Sequence, residues 1–134
     1  MKLLLILVLL VVVVAMVGIR LAPSDPRAWH VVPEGDEDKS FKGGVIRVAK
    51  TGPDGLAKLD SVARATPRTT VLAGSVDEGH ITYVTRSAVW GFPDYTTVKQ
   101  DGDTLRLFAR LRFGRSDLGV NGRRADQWLA AIQG

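Results

Sequence analysis

From Leu3 to Ile19 the chain runs for seventeen consecutive residues without a charge, most of them Leu, Val or Ile, between Lys2 and Arg20. At a helical rise of about 1.5 Å per residue this run spans about 25 Å, the lower end of what crosses a hydrocarbon core. A signal peptide has a shorter apolar region and ends in a pair of small residues. Here Ala22 is followed by Pro23 and has Arg20 at the critical spacing, while Val13 and Ala15 form only a weak pair inside the run. The reading is an uncleaved anchor over residues 1–22, inserted through residues 3–19, with a cleaved signal as the alternative. Lys2 and the very short tail before the run favour export of the chain beyond it, whereas Arg20 and Arg27 count against export. The expected location is the bacterial inner membrane, single-pass, with the C-terminal domain periplasmic.

The remaining length suits one domain. Beyond the anchor 16 basic residues face 14 acidic ones, a balance that does not suggest a nucleic-acid partner. The charge is unevenly placed. Pro23 to Phe41 holds five acids and two bases; Thr104 to Arg124 holds six arginines and the single acid Asp117. Residues 23–43, with three prolines, two glycines and no sustained period, read as an acidic linker in which Trp29 docks on the domain.

Residues 44–134 carry the regular patterns. VIRVA (45–49) is a strand, and PDGLAKLDSVARA (53–65) is a helix with Leu56, Leu59 and Val62 or Ala63 on one side. TTVLAGSV and HITYVTRS flank the turn residues Asp77, Glu78 and Gly79; DYTTVKQ and TLRLFARLRF flank Asp101, Gly102 and Asp103. In the last strand Leu105, Leu107, Ala109, Leu111 and Phe113 alternate with Arg106, Phe108, Arg110 and Arg112, so one face is apolar and the other basic. Ala125, Trp128, Leu129 and Ile132 mark a terminal helix. The expected fold is α+β, an antiparallel sheet of about four to five strands with two helices packed on one face, preceded by a transmembrane helix.

Between the last strand and that helix lies GRSDLGVNGRR (114–124). Asp117 or Asn121 can cap the helix, and the glycines permit a sharp turn. An arginine paired with Asp117 would lock it. The EF-hand opening is matched only in part: Gly119 stands at the third position, and Trp128 stands where the twelfth must supply a carboxylate. With only His30 and His80 and no cysteine, no metal ligand set is evident, and no cofactor fingerprint occurs. Asp60, Asp77, Glu78, Asp94, Asp101 and Asp103 read as solvated acids of helices and turns. In TRSAVWGFPDYTTV (85–98), Trp90 and Phe92 read first as packing at the edge of the core and second as an aromatic lip beside Arg86.

The two stretches TRSAVWGFPDYTTV and RLRFGRSDLGVNGRR, with Trp128 after them, resemble the bacterial and plastid family catalogued as domain of unknown function 1499. Its G-x-S-D-x-G-V-N-x-x-R signature falls on Gly114, Ser116, Asp117, Gly119, Val120, Asn121 and Arg124, and the resemblance extends over about 110 residues after the anchor. It implies a small exported or membrane-associated domain and supplies no catalytic residues. The expected function is a non-enzymatic binding or structural module. Its candidate ligand-binding residues are Arg86, Arg110, Arg112, Arg115, Asp117, Asn121 and Arg124, joined by Arg106 in a basic surface. The partner would be an anionic lipid, an envelope polymer or an acidic protein face. An enzyme acting on an anionic substrate through Asp117 is the alternative, and docking of the acidic linker on the basic face is a third reading.

Overall fold

The computed structural model describes residues 1–133. The apolar run forms one helix, α1 (Lys2–Leu21), long and apolar enough to cross a membrane and with no buried residue. A four-residue helix, α2 (Pro26–Trp29), is capped by the Asp25 carboxylate, which accepts the Arg27 N–H at 2.9 Å. The strands are β1 (Lys39–Phe41), β2 (Gly44–Lys50), β3 (Thr69–Ser75), β4 (His80–Arg86), β5 (Pro93–Asp101) and β6 (Thr104–Leu111), with α3 (Gly55–Ala65) after β2 and α4 (Val120–Gln133) after β6.

All six strands join one antiparallel sheet in the order β1-β2-β6-β5-β4-β3. The sheet thus has one strand more than the four to five expected. The addition is β1, only three residues long and fully exposed, within the acidic segment read as a linker. Its sequence KSF has neither length nor alternation enough to signal a strand; it exists because it can pair with β2.

The alternation in β6 is realised up to Ala109, whereas Leu111 is half-buried and Phe113 lies beyond the strand and is exposed. Leu105, Leu107 and Ala109 are completely buried and belong to one cluster with Ile81, Tyr83 and Val98 of the sheet, Leu56, Leu59 and Ala63 of α3, and Ala125, Trp128 and Leu129 of α4. Burying side chains of this kind stabilises by about 1.5–3 kcal/mol each. Polar anchors join the elements at its rim. The Trp128 Nε1–H donates to Thr66 Oγ1 at 3.0 Å, and the Tyr83 hydroxyl donates to Asp60 at 2.6 Å. Asp60 is therefore not the solvated acid the sequence suggests: its side chain is 15% exposed and also pairs with Arg64. The start of α3 is held from β5, where the Gln100 Oε1 accepts the Leu56 N–H at 2.9 Å.

Residues 22–38 form a strap across the opposite, basic face of β6. It begins where Arg112 reaches the Pro23 carbonyl at 2.9 Å and Ser24 meets the Tyr95 hydroxyl at 2.6 Å. It then stacks Trp29 on Tyr95 at 4.0 Å between ring centres and His30 on His80 at 3.7 Å. It ends with the Asp38 carboxylate accepting the Val48 N–H at 2.8 Å. Gly74 makes room for this path: its φ of 84° suits glycine, and a Cβ there would run into the His80 backbone and the His30 ring.

Candidate functional site

The structure sends the seven sequence-predicted residues to three places. Arg110 and Arg112 lie under the strap. Arg110 is 6% exposed and has no carboxylate partner among the described residues. Its guanidinium donates to Thr97 Oγ1 at 2.8 Å, to the Phe108 carbonyl at 3.0 Å and to the Trp29 carbonyl, and it sits over the rings of Phe108 and Trp29. Burial pushes its pKa down to about 10, so it stays charged at neutral pH. Carbonyl dipoles and ring faces thus replace the missing anion. The neighbouring Arg106 meets the strap's own acids, Glu34 at 3.8 Å and Asp36 at 3.4 Å, and Asp101 at 3.5 Å. The acidic segment therefore docks on the basic face within the same chain.

Asp117, Asn121 and Arg124 gather at the start of α4. Asp117 is the cap: its carboxylate accepts the N–H groups of Gly119 at 2.9 Å and Asn121 at 3.1 Å. Burial raises its pKa, but the nearby Asn121 amide and the hydrogen bonds from these backbone groups outweigh it, and the net shift is downward. A carboxyl held ionised in this way suits a cap better than a proton donor. Asn121 lies inside the helix and is completely buried, with its Oδ1 accepting from Arg124 at 2.9 Å. Its Nδ2 has no partner in hydrogen-bonding geometry, although the amide lies close enough to Asp94 and Asp117 to favour their charged forms. Because an arginine can only donate, the bond to Arg124 fixes which end of the amide carries the oxygen.

The arginine partner expected for Asp117 is found elsewhere. Arg124 pairs with Asp94 of β5 at 3.6 Å, both side chains being less than a fifth exposed. Asp94 therefore departs from the solvated acid that its sequence context suggests. Burial pushes its pKa up, with Arg124 opposing, and burial likewise lowers that of Arg124. The β-ladder explains the pairing. Asp94, second in β5, pairs with Leu111, the last residue of β6, and α4 begins at the same end of the sheet.

Arg86 and Arg115 complete the set. Arg115 is exposed, and Arg86 donates to the Gly91 carbonyl at 2.9 Å. Arg86 lines a cleft of about 290 Å³ with Arg68, Thr70, Ser87, Ala88, Gly91 and, unforeseen from the sequence, Arg20 from the end of α1. Arg20 donates to the Val89 carbonyl at 2.7 Å and Arg68 to the Arg86 carbonyl at 2.9 Å. None of these three arginines is paired with a carboxylate among the described residues. Trp90 and Phe92 do not close the edge of the core: they stack on each other at 6.0 Å and stay 39% and 37% exposed.

The connections sort by charge. At the end of the sheet where α1 arrives lie residues 42–43, 66–68, 87–92 and 112–119, whose charged members are Lys42, Arg68, Arg112, Arg115 and the capping Asp117, with Arg86 at the edge. At the far end lie residues 51–54, 76–79 and 102–103, whose charged members are Asp54, Asp77, Glu78 and Asp103, with Lys50 and Asp101 at the edge.

No curated protein and no solved structure matches this chain. Residues 19–132, the end of α1 together with the strap, the sheet and its helices, match a family model, and the chain belongs to that family, described as protein of unknown function (DUF1499).

Proposed function

We propose that the chain is a single-pass, membrane-anchored module that engages an anionic envelope partner through one basic pole, without catalysis. Its small α+β domain, with α3 and α4 on one face of the sheet and the strap on the other, stands on the periplasmic side of the bacterial inner membrane. The observation that carries this reading is the charge division between the two ends of the sheet, with the basic end lying where α1 arrives. An end rich in unpaired arginines attracts polyanions, and near an anionic surface each basic residue contributes about 1 kcal/mol. Arg106 and Arg110 are already occupied by the strap, so the free part of the surface is Arg68, Arg86 and Arg115 rather than the strand face.

Two variants with equal net charge test the pole. Full-length protein in mild detergent carrying Arg86→Glu and Arg115→Glu is expected to leave immobilised dextran sulfate at clearly lower salt than one carrying Lys50→Glu and Lys58→Glu at the far end. Equal elution would show that only net charge matters and would remove the assignment. For orientation, a C-terminal alkaline phosphatase fusion is expected to be active. An inactive fusion beside a glowing cytoplasmic fluorescent reporter would reverse it.

A further inference from the structure

The connection from Ser87 to Phe92 presents an apolar surface that the fold leaves open. Val89 is 67% exposed, Trp90 and Phe92 stack at 6.0 Å, and Phe92 meets Phe113 of the neighbouring connection at 6.3 Å. Phe113, 38% exposed, lies under the Arg112 guanidinium at 5.1 Å. Leu118, in the same connection as Phe113, is 83% exposed. Large apolar side chains gathered this way in water cost free energy unless something covers them.

What covers them is indicated by their position. The Val89 carbonyl accepts the Arg20 guanidinium at the last turn of α1, and the Pro23 carbonyl just beyond that helix accepts Arg112. The aromatic row and the cleft of Arg20, Arg68 and Arg86 therefore sit at the level where α1 ends, with no acid lining the cleft. Aromatic rings beside arginines, at the end of an apolar helix, are what membrane proteins place at the headgroup layer of a bilayer.

We propose that this loop is a membrane-interface wedge. Trp90, Phe92 and Phe113 seat in the interfacial layer of the bilayer that α1 spans, and the three-arginine cleft holds the phosphate of an anionic phospholipid. The inference rests on the anchored reading and names its partner. Arg20, Arg68 and Arg86 each spend one N–H on a backbone carbonyl, which orients the guanidinium while leaving other N–H groups to bind phosphate oxygens. The domain would thereby be clamped against the membrane by the loop as well as by α1.

The test uses the full chain in nanodiscs containing brominated lipid, with and without phosphatidylglycerol. Part of the tryptophan fluorescence is expected to be quenched, and Trp90→Ala is expected to abolish that quenching, since Trp29 and Trp128 pack within the domain. Hydrogen exchange of amides 86–92 is expected to slow when phosphatidylglycerol is added, and Arg68→Gln with Arg86→Gln is expected to remove the slowing. Exchange in β5 and β6 reports whether each variant is folded. Quenching that is absent, or unchanged by Trp90→Ala, overturns the wedge; slowing that is equal in phosphatidylcholine alone, or that persists in Arg68→Gln with Arg86→Gln, overturns the anionic-phospholipid site in the cleft. Failure of the chain to co-elute with nanodiscs is a separate result that overturns the anchored reading itself.

Discussion

The two faces of β6 are both covered, but by different chemistry. On one side Leu105, Leu107 and Ala109 are sealed among the residues of α3 and α4. On the other, Arg106, Phe108 and Arg110 are covered by a strap that offers carbonyls, acids and two stacked rings. Burial without polar groups is non-directional and strong, whereas burial of a cation depends on each donor finding an acceptor. The helix side should therefore carry the stability of the domain, and the strap side should be the one that responds to pH and salt.

The largest effect is expected on the helix side. Leu107→Ala removes a fully buried side chain and should cost about 2–5 kcal/mol, read from urea unfolding. A loss below about 1 kcal/mol would mean the cluster is not the seat of stability. On the strap side Trp29→Ala removes the stack on Tyr95 and half the ring cage of Arg110, for about 1–2 kcal/mol. The sharper readout there is proteolysis: trypsin should cut after the exposed Arg27 much faster in the variant while the sheet stays intact. Equal cutting would show that the strap is held by something other than Trp29.

A smaller effect is expected from acidification. Burial holds the pKa values of His30 and His80 below the ordinary 6.5, and the proximity of the two rings and of Lys99 adds to this at His80, with Glu78 opposing. Both rings are thus neutral in the folded state and protonate more readily once unfolded. The stability they confer is complete above about pH 6.5 and declines as pH falls below it. Strap protection from trypsin should weaken as the pH falls below about 6.5, and His30→Gln should flatten that decline. The smallest effect belongs to Arg106→Gln, whose acidic partners are mostly exposed: about 0–1 kcal/mol, vanishing in high salt.

The apolar stripes of α4 and β6 and the acidic turns at Asp77–Gly79 and Asp101–Asp103 are legible in the sequence because periodicity and turn composition are local properties. The cap is legible as a choice between Asp117 and Asn121. Three things are not. β1 carries no pattern of its own and depends on its pairing with β2. Asp94 looks like a turn acid, and its partner Arg124 lies thirty positions away on a different element. His30 and His80 look unrelated until the strap brings their rings together.

The sequence by itself determined which side of each strand is apolar, where the chain turns, that a long apolar helix comes first, and that acids and arginines cluster in separate stretches. Only the tertiary structure decided that the strap's acids meet Arg106, that Arg110 is caged by carbonyls and rings, that Arg20 joins Arg68 and Arg86 in one cleft, and that basic and acidic connections fall at opposite ends. The physical reason is range. Side-chain period and turn chemistry act over a few residues, whereas these pairings span up to 81 positions and depend on strand register and the path of the strap.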